Sequence, residues 1–249
     1  MPDGSPVLAL LIFLTAVVYS MVGQAGATGY LAVMGAFGFE PAVMKPTALA
    51  LNLTVAAIGA VRFARAGHFD GRAFWPFALL GLPAAWLGGA IALPAGIYHP
   101  LVGAVLLLAA IQLVRSARAS PAEPARPRGD RPPVGWSILL GGVVGLLSGL
   151  TGTGGGVFLA PAVLLAGWAS AQRAAALAAA CNLFASAAGL AGAWAAAPAL
   201  PAALQLWIPL VAAGALIGSS LGSRRLPDRP MRLVLAAILA AAGTKLLLS

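Results

Sequence analysis

The chain is 249 residues long, and 61% of it is hydrophobic while only 8% is charged. A soluble globular chain carries about 25% charged residues, so this composition excludes a water-facing surface and, with it, a soluble enzyme. Disorder is excluded as well, because it needs low hydrophobicity and high net charge.

Ten apolar runs follow one another near 7–22, 29–39, 42–61, 74–93 and 97–114, then 134–149, 156–168, 174–195, 203–222 and 231–248. No Lys or Arg precedes the first run, whereas a cleavable signal peptide has a positive front end, so 7–22 is expected to belong to the mature protein. A spanning helix needs about 20 residues. Six runs meet that length, 29–39 and 156–168 are too short, and 7–22 and 134–149 are borderline. Ala, Leu, Gly and Val dominate, which favours helices packed through small residues over a barrel of alternating strands. The expected fold class is an all-α integral membrane protein.

Between the two sets of five runs, residues 115–133 hold five Arg and five Pro, a composition that makes an extended solvated connector. The expected organisation is a first membrane repeat over 1–114, a cytoplasmic linker over 115–133 and a second membrane repeat over 134–249. The halves read as one unit used twice. Gly23, Gly26 and Gly29 match Gly149, Gly152 and Gly155 at an offset of 126, and after a four-residue adjustment Asn52, Gly88 and Pro100 match Asn182, Gly218 and Pro230 at 130.

The 15 Lys and Arg outnumber the 6 Asp and Glu, giving +9. Clustered between apolar runs, this charge reads as orientation in the bilayer rather than nucleic-acid binding. Arg62, Arg65 and Arg72 follow the third run, but the equivalent connection 195–202 has no charge; Arg224, Arg225, Arg229 and Arg232 follow the ninth run, while 94–99 has no Lys or Arg. An odd number of crossings per half places these clusters and the linker together in the cytoplasm, so the repeats are expected to be inverted. Each half is then a Gly-interrupted helical hairpin plus three spanning helices, the pattern of discontinuous helices in secondary transporters. Lys45 falls outside in this arrangement, and Glu40 and Lys45, flanking the end of the first hairpin, read either as guards of an entrance or, more commonly for such residues, as a solvated loop pair.

The strongest local feature is Gly149-Leu-Thr-Gly-Thr-Gly-Gly-Gly156, with Gly23-Gln-Ala-Gly-Ala-Thr-Gly29 as its counterpart. A glycine-rich break between apolar helices exposes backbone N–H groups at a helix start, and those donors with the helix dipole attract anions. The candidate site is therefore Gly26, Gly29, Gly152, Gly154, Gly155 and Gly156 with the donors Gln24, Thr28, Thr151 and Thr153. Asn52 and Asn182 join it, because an amide inside a membrane helix either ties helices together or faces a substrate cavity. Thr47, Thr54 and Ser186 lie one or two turns from these amides; back-bonding to their own helix is the commoner fate of such hydroxyls. The acids sit in loops, termini or segment ends, and His68 and His99 in connections. Cys181 has no disulfide partner and reads as a packing residue. No nucleophile–base pair, nucleotide loop or metal spacing is present, so no enzyme activity and no cofactor are expected.

On these residues the chain resembles the TauE/SafE family, the sulfite-exporter-like permeases. The resemblance rests on residues 146–161, more weakly on 23–29, and on the basic stretches 62–72 and Arg224-Arg225-Leu-Pro227, and covers nearly everything but the linker. The family often has Gly-Thr-Ser at the start of the third helix, where this chain has Pro46-Thr-Ala48 and, in its second half, Ala-rich sequence. The resemblance implies a multi-pass permease of the cytoplasmic membrane moving sulfite, sulfonates or related organosulfur anions. Such a secondary transporter would work by alternating access around a midplane site at the two hairpin tips, with H⁺ or Na⁺ as the coupling ion to be considered. A cation carrier using hairpin carbonyls and a structural subunit without transport are the competing readings.

Overall fold

The computed structural model describes residues 5–21, 24–118, 133–195, 200–222 and 228–248. Gly23, Arg224, Arg225 and linker residues 119–132 lie outside them. Among the described residues ten helices follow in order: α1 (Pro6–Met21), α2 (Ala27–Ala36), α3 (Pro41–Arg65), α4 (Gly71–Ala90), α5 (Ala95–Arg118), α6 (Val134–Thr151), α7 (Gly156–Leu165), α8 (Ala171–Ala195), α9 (Leu204–Gly222) and α10 (Asp228–Leu247). Helices satisfy their backbone hydrogen bonds internally, as hydrocarbon demands. Among the described residues, α3, α4, α5, α6, α8 and α9 are long and apolar enough to cross a membrane. The sixth run proves sufficient because its helix continues to Thr151, giving 18 residues. Large apolar side chains such as Trp136, Leu79, Ile111 and Trp194 face outward, a surface suited to lipid. The chain is a polytopic helical membrane protein.

α2 and α7, at 10 residues each, are about 15 Å long, roughly half the hydrocarbon thickness. Each follows a longer helix through a glycine turn. The helix boundaries keep a spacing of 129 or 130 residues through this region. α1 and α6 end 130 residues apart, α2 and α7 lie 129 apart at both ends, and α3 and α8 lie 130 apart at both ends. The glycines matched at 126 are therefore three to four residues out of step: Gly26, which caps α2, stands opposite Gly155, which caps α7.

Packing follows the same correspondence. α4 lies on α6 as α9 lies on α1, and α3 meets α8 while α5 meets α10. The matched pair Gly88 and Gly218 make equivalent approaches. A Cβ on Gly88 would lie 2.6 Å from the Leu146 carbonyl, and one on Gly218 would run into the Val17 carbonyl. These are the small-residue crossings by which helices associate without a hydrophobic driving force.

Lys45 is not a solvated loop charge. It lies in the second turn of α3 and is buried, and its Nζ donates to the carbonyls of Gly89 (2.7 Å), Ile91 (2.7 Å) and Gly88 (3.4 Å) at the C-terminal end of α4. Those carbonyls have no intrahelical donors, which is why an ammonium settles there. At the other end of α3, Arg62 and Arg65 occupy the last turn, where the helix dipole favours cations. Asp70 caps α4 by accepting from the Arg72 backbone N–H at 2.8 Å.

Candidate functional site

The second hairpin turn is built on three left-handed residues, and glycine alone adopts them without a Cβ penalty. Gly152 (φ +85°) ends α6, Gly154 (φ +75°) follows, and Gly155 (φ +80°) caps α7. Thr151 donates back to Leu147 O (2.6 Å), its hydroxyl meets that of Thr153 (2.9 Å), and Tyr98 Oη donates to Thr151 O (2.9 Å). The first hairpin turns at Gly26 (φ +87°), where the Gln24 N–H donates to Tyr19 O at 2.8 Å.

The two amides matched in sequence meet. Asn52 Nδ2 donates to Asn182 Oδ1 (2.9 Å) and to Ser186 Oγ (2.8 Å), joining α3 to α8. Gly154 lies against this cluster so closely that a Cβ there would collide with Asn52 Nδ2 and Asn182 Oδ1. Asn52, Asn182 and Ser186 are all buried, and Asn52 Oδ1 has no hydrogen-bond partner.

A chamber of about 690 Å³ opens beside this cluster and runs to the bundle end formed by the C-termini of α3, α5 and α9 and the start of α10. Of the residues singled out in the sequence, Gln24, Gly26, Asn52, Thr153, Gly156 and Asn182 line it. The starts of α2 and α7 thus both face one space, each with first-turn N–H groups that have no intrahelical acceptor. Thr28, Gly29, Thr151, Gly152, Gly154 and Gly155 do not line it. Thr28 hydrogen-bonds Tyr19 Oη (3.0 Å), and Gly29 makes room for Thr15 and Tyr19. Thr47 is buried away from the chamber, and Thr54 back-bonds to Ala50 O.

Arg62, His68 and Arg232 stand in the chamber wall toward its open end, and among the described residues no Asp or Glu does. In the sequence Arg62 and Arg232 were legible only as topology signals, and His68 only as a residue of a connection. Each helix start adds the equivalent of about half a positive charge, so the chamber presents donors and cations from the amide pair to its mouth.

The sequence matches the family described as Sulfite exporter TauE/SafE over residues 8–246. The chain belongs to the TauE/SafE family. It is 47% identical over 241 residues, covering 96% of this chain and 97% of the relative, to a protein of Sinorhizobium fredii (strain NBRC 101917 / NGR234) named "Probable membrane transporter protein y4hK". No solved structure matches the chain. As a member of TauE/SafE it is a membrane transporter and not an enzyme.

Proposed function

We propose that the chain is a secondary transporter of small anions, with sulfite, sulfonates or related organosulfur anions as substrates, in the cytoplasmic membrane. The observation that carries this reading is the charge of the chamber: two helix starts, the Asn182 amide and Thr153 at its inner end, Arg62 and Arg232 toward its mouth, and no carboxylate among its described lining residues. The helix starts, the Asn182 amide and the Arg62 guanidinium all donate, and an oxyanion accepts from them, whereas a cation finds no carboxylate among the described lining residues.

The anion sits between Gly156 at the start of α7, Gly26 at the start of α2, and the side chains of Asn182, Thr153 and Gln24. Asn52 orients Asn182 through their shared hydrogen bond. The repeats 1–114 and 134–249 are inverted and rock about this site, with residues 115–133 as their cytoplasmic connector. With the basic ends of α3 and α10 on the cytoplasmic side, the chamber is open inward.

Flux into proteoliposomes of the purified protein tests the proposal. Sulfite and methanesulfonate are expected to be carried and to compete with each other, while Na⁺ and divalent cations leave unlabelled-anion competition unchanged. Flux of a metal cation with no response to any anion would overturn the reading.

A further inference from the structure

Equivalent positions on the third helices of the two halves carry different residues. α3 and α8 are both 25 residues long and keep a spacing of 130 at each end, so Lys45 stands where Ala175 stands. Along α8 the chamber is lined by Ala175, Ala178, Ala179 and Asn182. Their counterparts on α3 are Lys45, Ala48, Leu49 and Asn52, all of them buried. Asn52 already shares the central cluster, and Lys45 is the single charged member of the set.

The bundle is shut around Lys45. Its ammonium is held by the carbonyls of Gly88, Gly89 and Ile91, and its side chain is 8% exposed. A Cβ on Gly152 would lie 3.0 Å from Lys45 O, so the second hairpin turn rests on this turn of α3, and Tyr98 ties the same hairpin down through Thr151 O. None of the groups bonded to Lys45 is charged, and among the described residues it is the only buried charged side chain. An ionisable group at such a place is expensive to keep in a membrane protein and marks a function.

We infer that Lys45 is the cation that receives the anionic substrate when the chamber opens at the opposite end. This rests on the anion-carrier reading and on the halves exchanging conformations during transport. After that exchange the counterparts of the present α8 wall face the solute, and Lys45 enters the chamber. The place of Arg62 passes to Gly192, which packs against the Trp86 backbone and carries no charge. Lys45 thus supplies at one end what Arg62 and Arg232 supply at the other. The carbonyls closing α4 hold the ammonium while the path is shut, and the long flexible lysine stem lets it turn to the solute once they separate.

The test is flux of sulfite and methanesulfonate started separately from each side of oriented proteoliposomes. Lys45→Met is expected to raise the half-saturation from the Lys45 end about tenfold or more, the loss of a hydrogen bond to a charged group. The value from the Arg62 end should stay within about twofold, and Lys45→Arg should recover most of the loss. A second measurement keeps the native residue. In a Lys245→Arg background, a membrane-impermeant amine-acylating ester is expected to modify Lys45 from its own end during turnover, and saturating methanesulfonate to block it. Equal effects of Lys45→Met at both ends, no effect at either, or no acylation of Lys45 during turnover would overturn the assignment. Wild-type protein that carries no anion would instead remove the anion-carrier reading beneath it.

Discussion

Replacing Gly154 by Ala probes the hairpin tip with one methyl group. Two costs arise. The left-handed backbone at φ +75° disfavours any Cβ by about 1 kcal/mol. The methyl group itself would overlap Asn52 Nδ2 and Asn182 Oδ1 and lie 2.8 Å from Ser186 Oγ. Relief requires the tip or the amides to move, breaking two side-chain hydrogen bonds at about 1 kcal/mol each. Together these amount to about 3 kcal/mol, a factor of about 150 against the intact tip. Gly38 provides the control, since it has φ +73° but nothing within 4 Å of a Cβ, so Gly38→Ala bears the backbone cost alone. Anion flux per molecule of purified, monodisperse protein in proteoliposomes should fall at least tens-fold in Gly154→Ala and stay near wild type in Gly38→Ala. Equal flux in the two variants would refute the claim that the tip is held in register by the amide cluster.

Other consequences follow from the same geometry. Thr153→Val removes a hydroxyl at the chamber wall whose proton goes to Thr151 Oγ1 here and turns to the anion when one binds, so it should weaken methanesulfonate binding about tenfold in calorimetry, whereas Thr28→Val loses only its bond to Tyr19 and should leave affinity within about twofold. Gly218→Ala presses a methyl group into the Val17 backbone and should lower the melting temperature without changing the order of substrate preference; Gly96→Ala, in open space, should melt as wild type does. Arg62→Gln at the chamber wall should raise the half-saturation for anions from its own end a few-fold at low salt, and the difference should shrink as ionic strength rises and screening takes over.

Composition alone carries the helical membrane class, because a chain with 8% charge has no other place to fold. The short segments beside glycine turns are also legible, since α2 and α7 are short for the same reason that their runs look short. The pairing of Asn52 with Asn182 survives because asparagine is scarce in such a chain. The glycine match at 126 does not, because with 31 glycines a displaced register finds partners nearly as well as the true one. Which hydroxyls serve the chamber is invisible for a related reason. Thr28 and Thr153 are equally polar in sequence, and only their placement in the fold sends one to Tyr19 and the other to the chamber wall. Lys45, beside Glu40 and Pro46, reads as a loop residue, and its burial depends on α4 carbonyls more than forty residues away in sequence.

The most direct test is to locate the anion. Selenite, an isostere of sulfite with a strong anomalous signal, can be soaked or co-crystallised with the wild-type protein and found by its scattering. Density within hydrogen-bonding distance of the Gly156 N–H, Asn182 Nδ2 and Thr153 Oγ1 is the expected result. Selenium bound only away from the chamber, or a metal cation occupying that position in its place, would contradict it.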